Sequence, residues 1–277
     1  MSKVLNAVTL LGAGIQGSRL AYMWSRLGRP VYLLDNDKSQ LPRARNDLVS
    51  LQSRLPAGHD TVTVNSTDDL DMALARSWLV VECVPESLSL KQSLLRELDK
   101  VSRPETIIAS NSSSYTIPEI TKGMVLTGKD RIVNMHPFLP PDIPAIEIMG
   151  TEETRQDIIP KLMQETKAHG FNPFHVRGLS SGIWAAIKRE TLTAIDEGVA
   201  TPNEIDQIFQ CVTGMPKGPC EQMDAIGLDT VLLIEDHYAA VRPGLPEGPR
   251  KLLRKMVAGG KLGIKTGVGF YSYESKH

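Results

Sequence analysis

The chain has 277 residues and is long enough for two domains with a sizeable core. Its hydrophobic fraction of 41% and charged fraction of 23% are ordinary for a folded globular protein, and no apolar run approaches the roughly 18 residues needed to span a membrane. The formal net charge of −1 gives no reason to expect a nucleic acid or an acidic membrane surface as a partner.

The first predicted element is a strand that ends in a glycine-rich turn. The apolar run Ala7–Leu11 leads into Gly-x-Gly-x-x-Gly at residues 12–17 and then into a segment with helical character. A second apolar run follows and stops on Asp35. This order of strand, turn, helix, strand and acid is typical of dinucleotide-binding domains. Asp35 is placed to bind a ribose 2′-hydroxyl and would repel a 2′-phosphate, so NAD is favoured over NADP.

Residues of this turn are predicted to shape the cofactor site or to bind the cofactor. Gly12 permits the tight turn, Gly14 lets the backbone approach the pyrophosphate, and Gly17 lets helix and strand pack closely. The pyrophosphate is expected at the helix N-terminus, at Ile15 and Gln16, because unpaired N–H groups and the helix dipole favour an anion there.

Strands and helices continue to alternate through the first half of the chain. Strands separated by helices of this length predict a parallel sheet covered on both faces. The predicted segments are a helix at 38–54, a strand at 61–64, a helix at 68–75 with Thr67 as N-cap, a strand at 78–81, a helix at 88–101, strands at 106–109, 131–135 and 145–149, a helix at 153–169 and a strand at 174–176.

The pattern becomes helical near residue 178. Helices are predicted at 183–199, 202–212, 221–241 and 249–257, with a single late strand at 269–273. The predicted fold class is therefore α/β, with a Rossmann-type doubly wound parallel sheet in an NAD-binding domain, 1–177, followed by an all-helical domain, 178–277, for substrate binding and dimerisation. An apolar helical domain of only about 100 residues is expected to complete its core by pairing, which predicts a homodimer.

The cysteines and the N-terminus bear on metal binding and location. Cys83, Cys211 and Cys220 are an odd number without Cys-x-x-Cys spacing, so neither a disulfide framework nor a metal site is predicted. Residues 1–4 run directly into the first strand and leave no room for a signal peptide. We therefore expect a cytoplasmic protein.

Several motifs occur in a fixed order along the chain. They lie at residues 81–91, 110–114 and 136–138 with Glu147, and then at 183–190, 196–206 and 263–271. Together they resemble the successive motifs of the 3-hydroxyacyl-CoA dehydrogenase superfamily over essentially the whole chain. Residues 82–86 and 136–141 are closer to the branch that contains L-gulonate 3-dehydrogenase (lambda-crystallin) and L-carnitine dehydrogenase, which act on free 3-hydroxy acids.

Oxidation of a secondary alcohol by NAD requires a base that removes the hydroxyl proton while a hydride leaves the same carbon. Imidazole is the usual choice because its pKa lies near the working pH, and a neighbouring carboxylate orients it. His136 follows one predicted strand and Glu147 lies in the next, so such a pair is geometrically plausible. The resemblance implies that His136 is the general base, that Glu147 orients it, and that Ser113 binds the reacting oxygen.

The resemblance also implies further contacts with ligands. It places Glu86, Lys91 and Asn111 at the cofactor, although Glu86 and Lys91 also fit a pair of solvated charges at a helix start. The segment 224–229 resembles a stretch that lines the substrate cleft between the domains, and its contact with substrate is left open. Four basic residues either contact a phosphate of CoA or are simply solvated: Arg43, Arg45, Arg54 and Lys122. Three aromatic residues are expected in the core: Phe270, Tyr271 and Tyr273.

The chain departs from the family pattern at two expected substrate positions. Leu139 stands where the family commonly has an asparagine three residues after the histidine. Ser181, or Gly182 in the alternative alignment, replaces the asparagine that opens the helical domain. A serine cannot offer a donor and an acceptor together with the reach of an amide. In addition, the segment 37–61 is too short for the whole helical arm that holds CoA in other members.

The predicted function is that of an NAD-dependent oxidoreductase of fatty acid metabolism that interconverts a 3-hydroxyacyl group, as a CoA thioester or a free acid, and its 3-oxo product. The partner is a small-molecule substrate. Two alternatives stay open: a retuned member acting on a specialised β-hydroxycarbonyl metabolite, and a non-catalytic NAD-binding sensor or structural protein. The retained His136 and Glu147 argue against the second alternative, because a pure binder has no need of them.

Overall fold

An eight-stranded sheet organises the first part of the chain in the computed structural model, which describes residues 5–53 and 61–273. The chain divides into two compact units, Met1–Leu179 and Ser180–His277, and the predicted boundary lies two residues before that division. The strand order is β3-β2-β1-β4-β5-β6-β7-β8. The strands are β1 (Ala7–Leu11), β2 (Val31–Asp35), β3 (Val62–Ser66), β4 (Ser77–Glu82), β5 (Ile107–Ser110), β6 (Ile132–Leu139), β7 (Ile143–Met149) and β8 (Asn172–His175).

The sheet is mostly parallel, which confirms the predicted Rossmann-type architecture. Its central strands β1 and β4 are buried along their whole length, as expected for strands covered on both faces. The exception is β7, which runs antiparallel to β6. Only residues 140–142 connect these two strands, and a parallel connection needs a crossover of a dozen residues or more.

Within residues 5–53 and 61–179, six α-helices cover the two faces of this sheet. Leu10 and Leu33 belong to one apolar cluster while Leu11 and Leu34 belong to another, because successive residues of a strand point to opposite faces. The helices are α1 (Ile15–Ser25), α2 (Gln40–Gln52), α3 (Leu70–Leu74), α4 (Leu88–Val101), α5 (Ile117–Ile120) and α6 (Ile158–Ala168).

Two predicted helix starts in this unit are wrong. The helix predicted from residue 153 begins at Ile158, because Thr151 and Thr154 form a turn in which the Thr151 N–H donates to Thr154 Oγ1 at 2.7 Å. The N-cap placed at Thr67 belongs to Ser66, whose Oγ accepts from the Asp68 N–H and starts a short 3₁₀ turn ahead of α3.

The second unit is helical around a small core. Leu192, Met223, Leu228 and Leu253 form the centre of this core. The helices are α7 (Ser181–Asp196), α8 (Pro202–Thr213), α9 (Pro219–Ile226), α10 (Leu228–Val241) and α11 (Gly248–Ala258). The helix predicted at 221–241 is two helices, because Gly227 has a φ of +102° that ends α9.

The strand predicted at 269–273 is not formed: Ser272 makes one isolated bridge with Val268, and a buried carboxylate holds the segment. Asp224 accepts from the N–H groups of Phe270 and Tyr271 at 3.0 and 3.1 Å and from the Tyr273 hydroxyl at 2.9 Å. Phe270 and Tyr271 pack against the core of the unit, as predicted. The Asp224 side chain is therefore occupied by the closing segment of the chain.

Within residues 5–53 and 61–273, no helix combines the length and apolar character of a membrane-spanning helix.

Candidate active site

The predicted site residues of the first unit meet at the carboxyl edge of the sheet. Leu11 and Glu82 end β1 and β4 and are register partners. The chain proceeds from β1 through β2 and β3 on one side, and from β4 through β5 and β6 on the other. The strand order therefore reverses between β1 and β4, which is where ligands of open α/β sheets bind.

The glycine turn has the shape that a phosphate cradle needs. Gly12 has a φ of +115°, and a Cβ there would lie 2.6 Å from the carbonyl oxygen of Cys83. A Cβ on Gly17 would collide with the carbonyl oxygen of Gly12, so helix α1 packs directly on the turn. Around Gly14 nothing lies within 4 Å of such a Cβ, and this residue gives α1 no side-chain cap. The first N–H groups of α1, including those of Ile15 and Gln16, therefore receive no acceptor from a capping side chain, and such groups suit an anion.

Asp35 ends β2 beside this turn. Its Oδ2 accepts from the Ala13 N–H at 2.6 Å, and its Oδ1 accepts from the Asp37 N–H at 2.8 Å. A carboxylate has about four lone-pair sites, so it retains acceptor capacity for the hydroxyls of a ribose.

His136 and Glu147 form the central pair of the site. They are directly opposite residues of the antiparallel strands β6 and β7, and His136 Nδ1 lies 3.0 Å from Glu147 Oε2. Both side chains are buried. A proton on Nδ1 that is donated to the carboxylate leaves Nε2 as the basic nitrogen of the ring. Because Asn134 pairs with Ser110 at the end of β5, His136 lies beyond the carboxyl edge, level with the residues that follow β5.

Glu86 and Lys91 are not solvated charges. The Lys91 side chain is only 1% exposed, and its Nζ donates to both oxygens of Glu82 at 2.9 and 3.0 Å and lies 3.3 Å from Glu86 Oε2. Burial alone lowers the pKa of Lys91, but the two carboxylates outweigh it and hold that pKa above its ordinary value. Burial raises the pKa of Glu82. Sequence reasoning missed Glu82 as a functional group, although a carboxylate that closes an apolar strand is a usable signal.

The other oxygen of Glu86 holds the loop that carries Ser113. Oε1 accepts from Ser112 Oγ at 2.6 Å, from the Ser114 N–H at 2.9 Å and from Ser114 Oγ at 2.7 Å. Ser113 lies between these two residues and is half-buried. Asn111 precedes them, and its N–H donates to the carbonyl of Glu82 at 3.1 Å. The predicted cofactor and catalytic residues after β4 and β5 are therefore one connected network.

Gln16 links the glycine turn to the β6–β7 hairpin, which carries His136 and is called the hairpin of the base below. Its Nε2 donates to the carbonyl oxygens of Pro137 and Phe138 at 3.1 and 2.8 Å. Leu139, one residue further, is half-buried and pairs with Ile143 at the end of the hairpin. The structure thus brings the turn, His136 and Leu139 to one place.

Ser181 belongs to the second unit, where it is the first residue of α7. Its Oγ lies 3.1 Å from the hydroxyl of Tyr238, a residue that the sequence did not single out. The guanidinium of Arg242 lies over the Tyr238 ring, 4.7 Å from its centre.

The basic residues considered for a CoA phosphate are spread out. Arg45 donates to the carbonyl of Val64 at 2.6 Å, and Arg43 pairs with Asp47 at 3.7 Å. Lys122 is exposed, while Arg54 lies outside the described residues. In the part of the chain that the structure describes, no group of three or more His, Cys, Asp or Glu side chains is arranged to hold a metal ion.

Comparison with known proteins gives a consistent result over both units. The NAD binding domain of the 3-hydroxyacyl-CoA dehydrogenase family matches residues 7–178, and the C-terminal domain of that family matches residues 180–273. The human mitochondrial hydroxyacyl-coenzyme A dehydrogenase is 29% identical over 291 residues, which cover 98% of this chain and 92% of that protein. The 3-hydroxybutyryl-CoA dehydrogenase of Mycobacterium tuberculosis is 30% identical over 295 residues, which cover 99% of this chain and all of that protein.

Solved structures agree. The crystal structure of FadB2 from M. tuberculosis has a TM-score of 0.81 and 27% identity, and the match covers 98% of this chain and 100% of that chain. The two family matches together span both units and include the glycine turn, His136 and Glu147. The chain therefore belongs to the 3-hydroxyacyl-CoA dehydrogenase family and is an NAD-dependent oxidoreductase.

Proposed function

We propose that the protein interconverts a 3-hydroxyacyl compound and its 3-oxo product. The observation that carries this proposal is the buried His136–Glu147 pair beyond the carboxyl edge of the sheet, tied by Gln16 to the dinucleotide turn. A base poised in this way serves an alcohol oxidation, whereas simple binding of a dinucleotide does not require it.

The catalytic steps follow from the geometry of the chain. In the oxidative direction, Nε2 of His136 takes the proton of the 3-hydroxyl group, and Glu147 stabilises the imidazolium that forms. The Ser113 hydroxyl, held between two residues that Glu86 binds, donates to the oxygen that becomes the carbonyl. Bound at this turn, NAD would supply the acceptor for the hydride that leaves carbon 3. In the reductive direction, the proton returns from His136 to the carbonyl oxygen.

The residues that would hold NAD are those of the turn and its neighbours. The N–H groups at the start of α1 suit the pyrophosphate, and Asp35 suits the hydroxyls of the adenosine ribose. Asn111, whose N–H donates to the carbonyl of Glu82, is a further residue of the proposed cofactor site. Lys91 is expected to act through Glu82 and Glu86, because its three N–H groups already face acceptors of the chain.

The CoA thioester is the first substrate candidate, because the named relatives are hydroxyacyl-CoA and 3-hydroxybutyryl-CoA dehydrogenases. A free 3-hydroxy acid or another β-hydroxycarbonyl compound is the second. It is favoured by the apolar Leu139 in the hairpin of the base and by Ser181, whose hydroxyl already bonds to Tyr238.

The test is NADH oxidation with acetoacetyl-CoA and with acetoacetate, in parallel, by the purified protein and by His136→Ala. Turnover that His136→Ala lowers by about 10³-fold or more, with NADH binding intact, supports the proposal. The substrate with the higher rate of NADH oxidation shows whether the enzyme acts on the thioester or on the free acid. Absence of turnover on both, with NADH still bound, would contradict the proposal and favour a specialised β-hydroxycarbonyl metabolite as the substrate.

We further propose a cytoplasmic homodimer. Helix α8 carries apolar residues at helical spacing on one face, and two of them, Ile208 and Val212, are 60% and 79% exposed. A second copy of the chain is the partner that would cover this face. The three cysteines are unpaired, which is usual in a reducing compartment.

A further inference from the structure

The side chain of Gln16 spans two parts of the site that are 121 residues apart in the chain. Gln16 is the second residue of α1, inside the interval between Gly14 and Gly17. Its Nε2 donates to the carbonyls of Pro137 and Phe138, the two residues that directly follow His136. Both N–H groups of the amide thus donate to backbone carbonyls next to the catalytic base.

These two bonds fall where the β6–β7 ladder is irregular. Pro137 pairs with Ile146, but Leu139 pairs with Ile143, so the register shifts between Pro137 and Leu139. Such an irregularity leaves backbone groups without their normal ladder partners. Pro137 also has no N–H of its own to give to the sheet. The amide of Gln16 therefore replaces strand pairing at the position next to His136.

Arg19 lies one turn further along α1 and holds the far end of the same hairpin. Its Nη1 donates to the carbonyl of Pro140 at 2.8 Å and lies 3.1 Å from Asp142 Oδ2. The Asp142 side chain is 54% exposed, so this ion pair is largely screened by water. Arg19 provides a matched comparison, because it holds the hairpin from the same helix but away from the base.

We infer that Gln16 is a positioning residue that couples the dinucleotide turn to the hairpin of the catalytic base. The inference rests on the proposed role of His136 and adds to it. The backbone of Gln16 belongs to the first turn of α1, where the pyrophosphate is expected, and its side chain fixes the backbone beside His136. Binding of the cofactor at the turn thereby fixes the position of the base.

The test uses Gln16→Met, a neutral and unbranched replacement of similar length and helix propensity that removes both donors. We expect kcat to fall by about tenfold or more, because a displacement of about 1 Å in a catalytic group can cost 10²-fold. The dissociation constant of NADH should stay within about threefold, since the turn itself is intact. The deuterium isotope effect on kcat, measured with 4-deuterated NADH, should rise, which a smaller fraction of folded enzyme would not cause. Arg19→Met should change kcat by less than about threefold.

A second measurement does not depend on turnover. Hydrogen exchange of peptides covering residues 135–143 is followed with and without NADH. In the natural protein, NADH should slow exchange in this hairpin, and in Gln16→Met that slowing should disappear while NADH still binds. Gln16→Glu, which is isosteric and lacks the N–H donors, serves as a second variant if Gln16→Met folds poorly.

The outcomes separate this inference from the proposed function. An unchanged kcat and isotope effect in Gln16→Met, or equal slowing of exchange by NADH in both proteins, would overturn the coupling. If the natural protein turns over neither substrate but NADH slows hairpin exchange through Gln16, the proposed function fails while the coupling stands.

Discussion

His136 and Glu147 oppose each other across the single antiparallel pair of the described sheet, with His136 Nδ1 3.0 Å from Glu147 Oε2. In such a pair, opposed side chains stand on the same face and about 5 Å apart at Cβ, so a hydrogen bond between them needs no loop to position it. The short 140–142 connection makes β7 antiparallel, and the register of this pairing places the Glu147 carboxylate beside the His136 imidazole. Strand register, rather than proximity in sequence, sets the geometry of the base.

The first prediction concerns the charge of Glu147. Glu147→Gln keeps an oxygen that can accept from Nδ1 but removes the negative charge that stabilises the imidazolium, so kcat should fall by about 10²–10³-fold. NADH binding, followed by its fluorescence, should not change. Glu153→Gln, an exposed carboxyl beyond β7, is the control and should leave kcat unaltered. A Glu147→Gln variant with full activity would show that the carboxylate is not needed for catalysis.

The second prediction separates two glycines of the turn. Gly12→Ala places a Cβ 2.6 Å from the Cys83 carbonyl at a φ of +115°, so the folded unit should lose about 2–4 kcal/mol of stability. Gly14→Ala meets no neighbour within 4 Å, so its thermal midpoint should stay close to that of the natural protein. Its Cβ instead enters the space expected for the pyrophosphate, and the affinity for NADH should fall by about tenfold or more. Calorimetry and NADH titration distinguish the two effects, and a Gly14→Ala variant with normal affinity would refute the placement of the phosphate.

The third prediction concerns Glu86 and acid stability. Burial raises the pKa of this carboxyl, but Lys91 and the donors of Ser112 and Ser114 outweigh burial and hold the pKa below its ordinary value of 4.5. A carboxyl with a lowered folded-state pKa contributes stability that is complete above its unfolded-state value and is lost as the pH falls through the lowered value. The stability of Glu86→Gln should therefore depend less steeply on pH on the acid side of 4.5.

Urea unfolding at several pH values measures this dependence. The activity of Glu86→Gln should fall as well, because the loop that carries Ser113 loses the negative charge of Glu86 that holds it. Glu97→Gln, an exposed carboxyl on the same helix α4, should reproduce the natural pH profile. Equal acid slopes for Glu86→Gln and the natural protein would contradict the role given to the buried network.

The fold was predictable where local signals decide it. Alternating apolar runs and helices predicted the doubly wound sheet, and the spacing of Gly12, Gly14 and Gly17 predicted a turn in which the structure shows Gly12 and Gly17 to be sterically required. The antiparallel strand β7 was missed because apolar runs carry no direction, and only the length of the connection at 140–142 distinguishes the two cases. The break at Gly227 was missed because a single glycine inside a helical pattern is often tolerated.

The identity of the site residues could be predicted from sequence motifs, but the contacts between their side chains could not. The pairing of His136 with Glu147 could be predicted from their motif and from their positions on neighbouring strands. The bonds of Lys91 to Glu82, and of Gln16 to the backbone at Pro137, join residues whose separation in sequence says nothing about distance in the fold. A motif therefore does not predict these contacts within the chain, and only the structure reveals them.

The fourth prediction concerns a buried ion pair in the helical unit. Arg189 Nε and Nη2 donate to the two oxygens of Glu235 at 2.8 and 3.0 Å, and both side chains are buried. Arg189→Met removes both hydrogen bonds that the buried Glu235 carboxylate accepts from Arg189, and it should cost about 3–5 kcal/mol of unfolding free energy. The double replacement Arg189→Met with Glu235→Leu should recover most of that loss, since two apolar side chains need no partner. Urea unfolding of both variants checks this, and equal losses in the single and double variants would show that the charge is not the cause.

The fifth prediction concerns the exposed face of α8. Burial of Ile208 and Val212 against a second copy would stabilise a dimer by roughly 1.5–3 kcal/mol for each side chain, and a charge there would be buried without a partner. In analytical ultracentrifugation we expect the natural protein at about twice its chain mass of 30.4 kDa and Ile208→Glu with Val212→Glu at that single mass. Val125→Glu, at a 97% exposed position of the first unit, controls for an added surface charge and should remain dimeric. A natural protein that sediments as a monomer would refute the dimer, and a dimer that survives both α8 substitutions would place its interface on another surface.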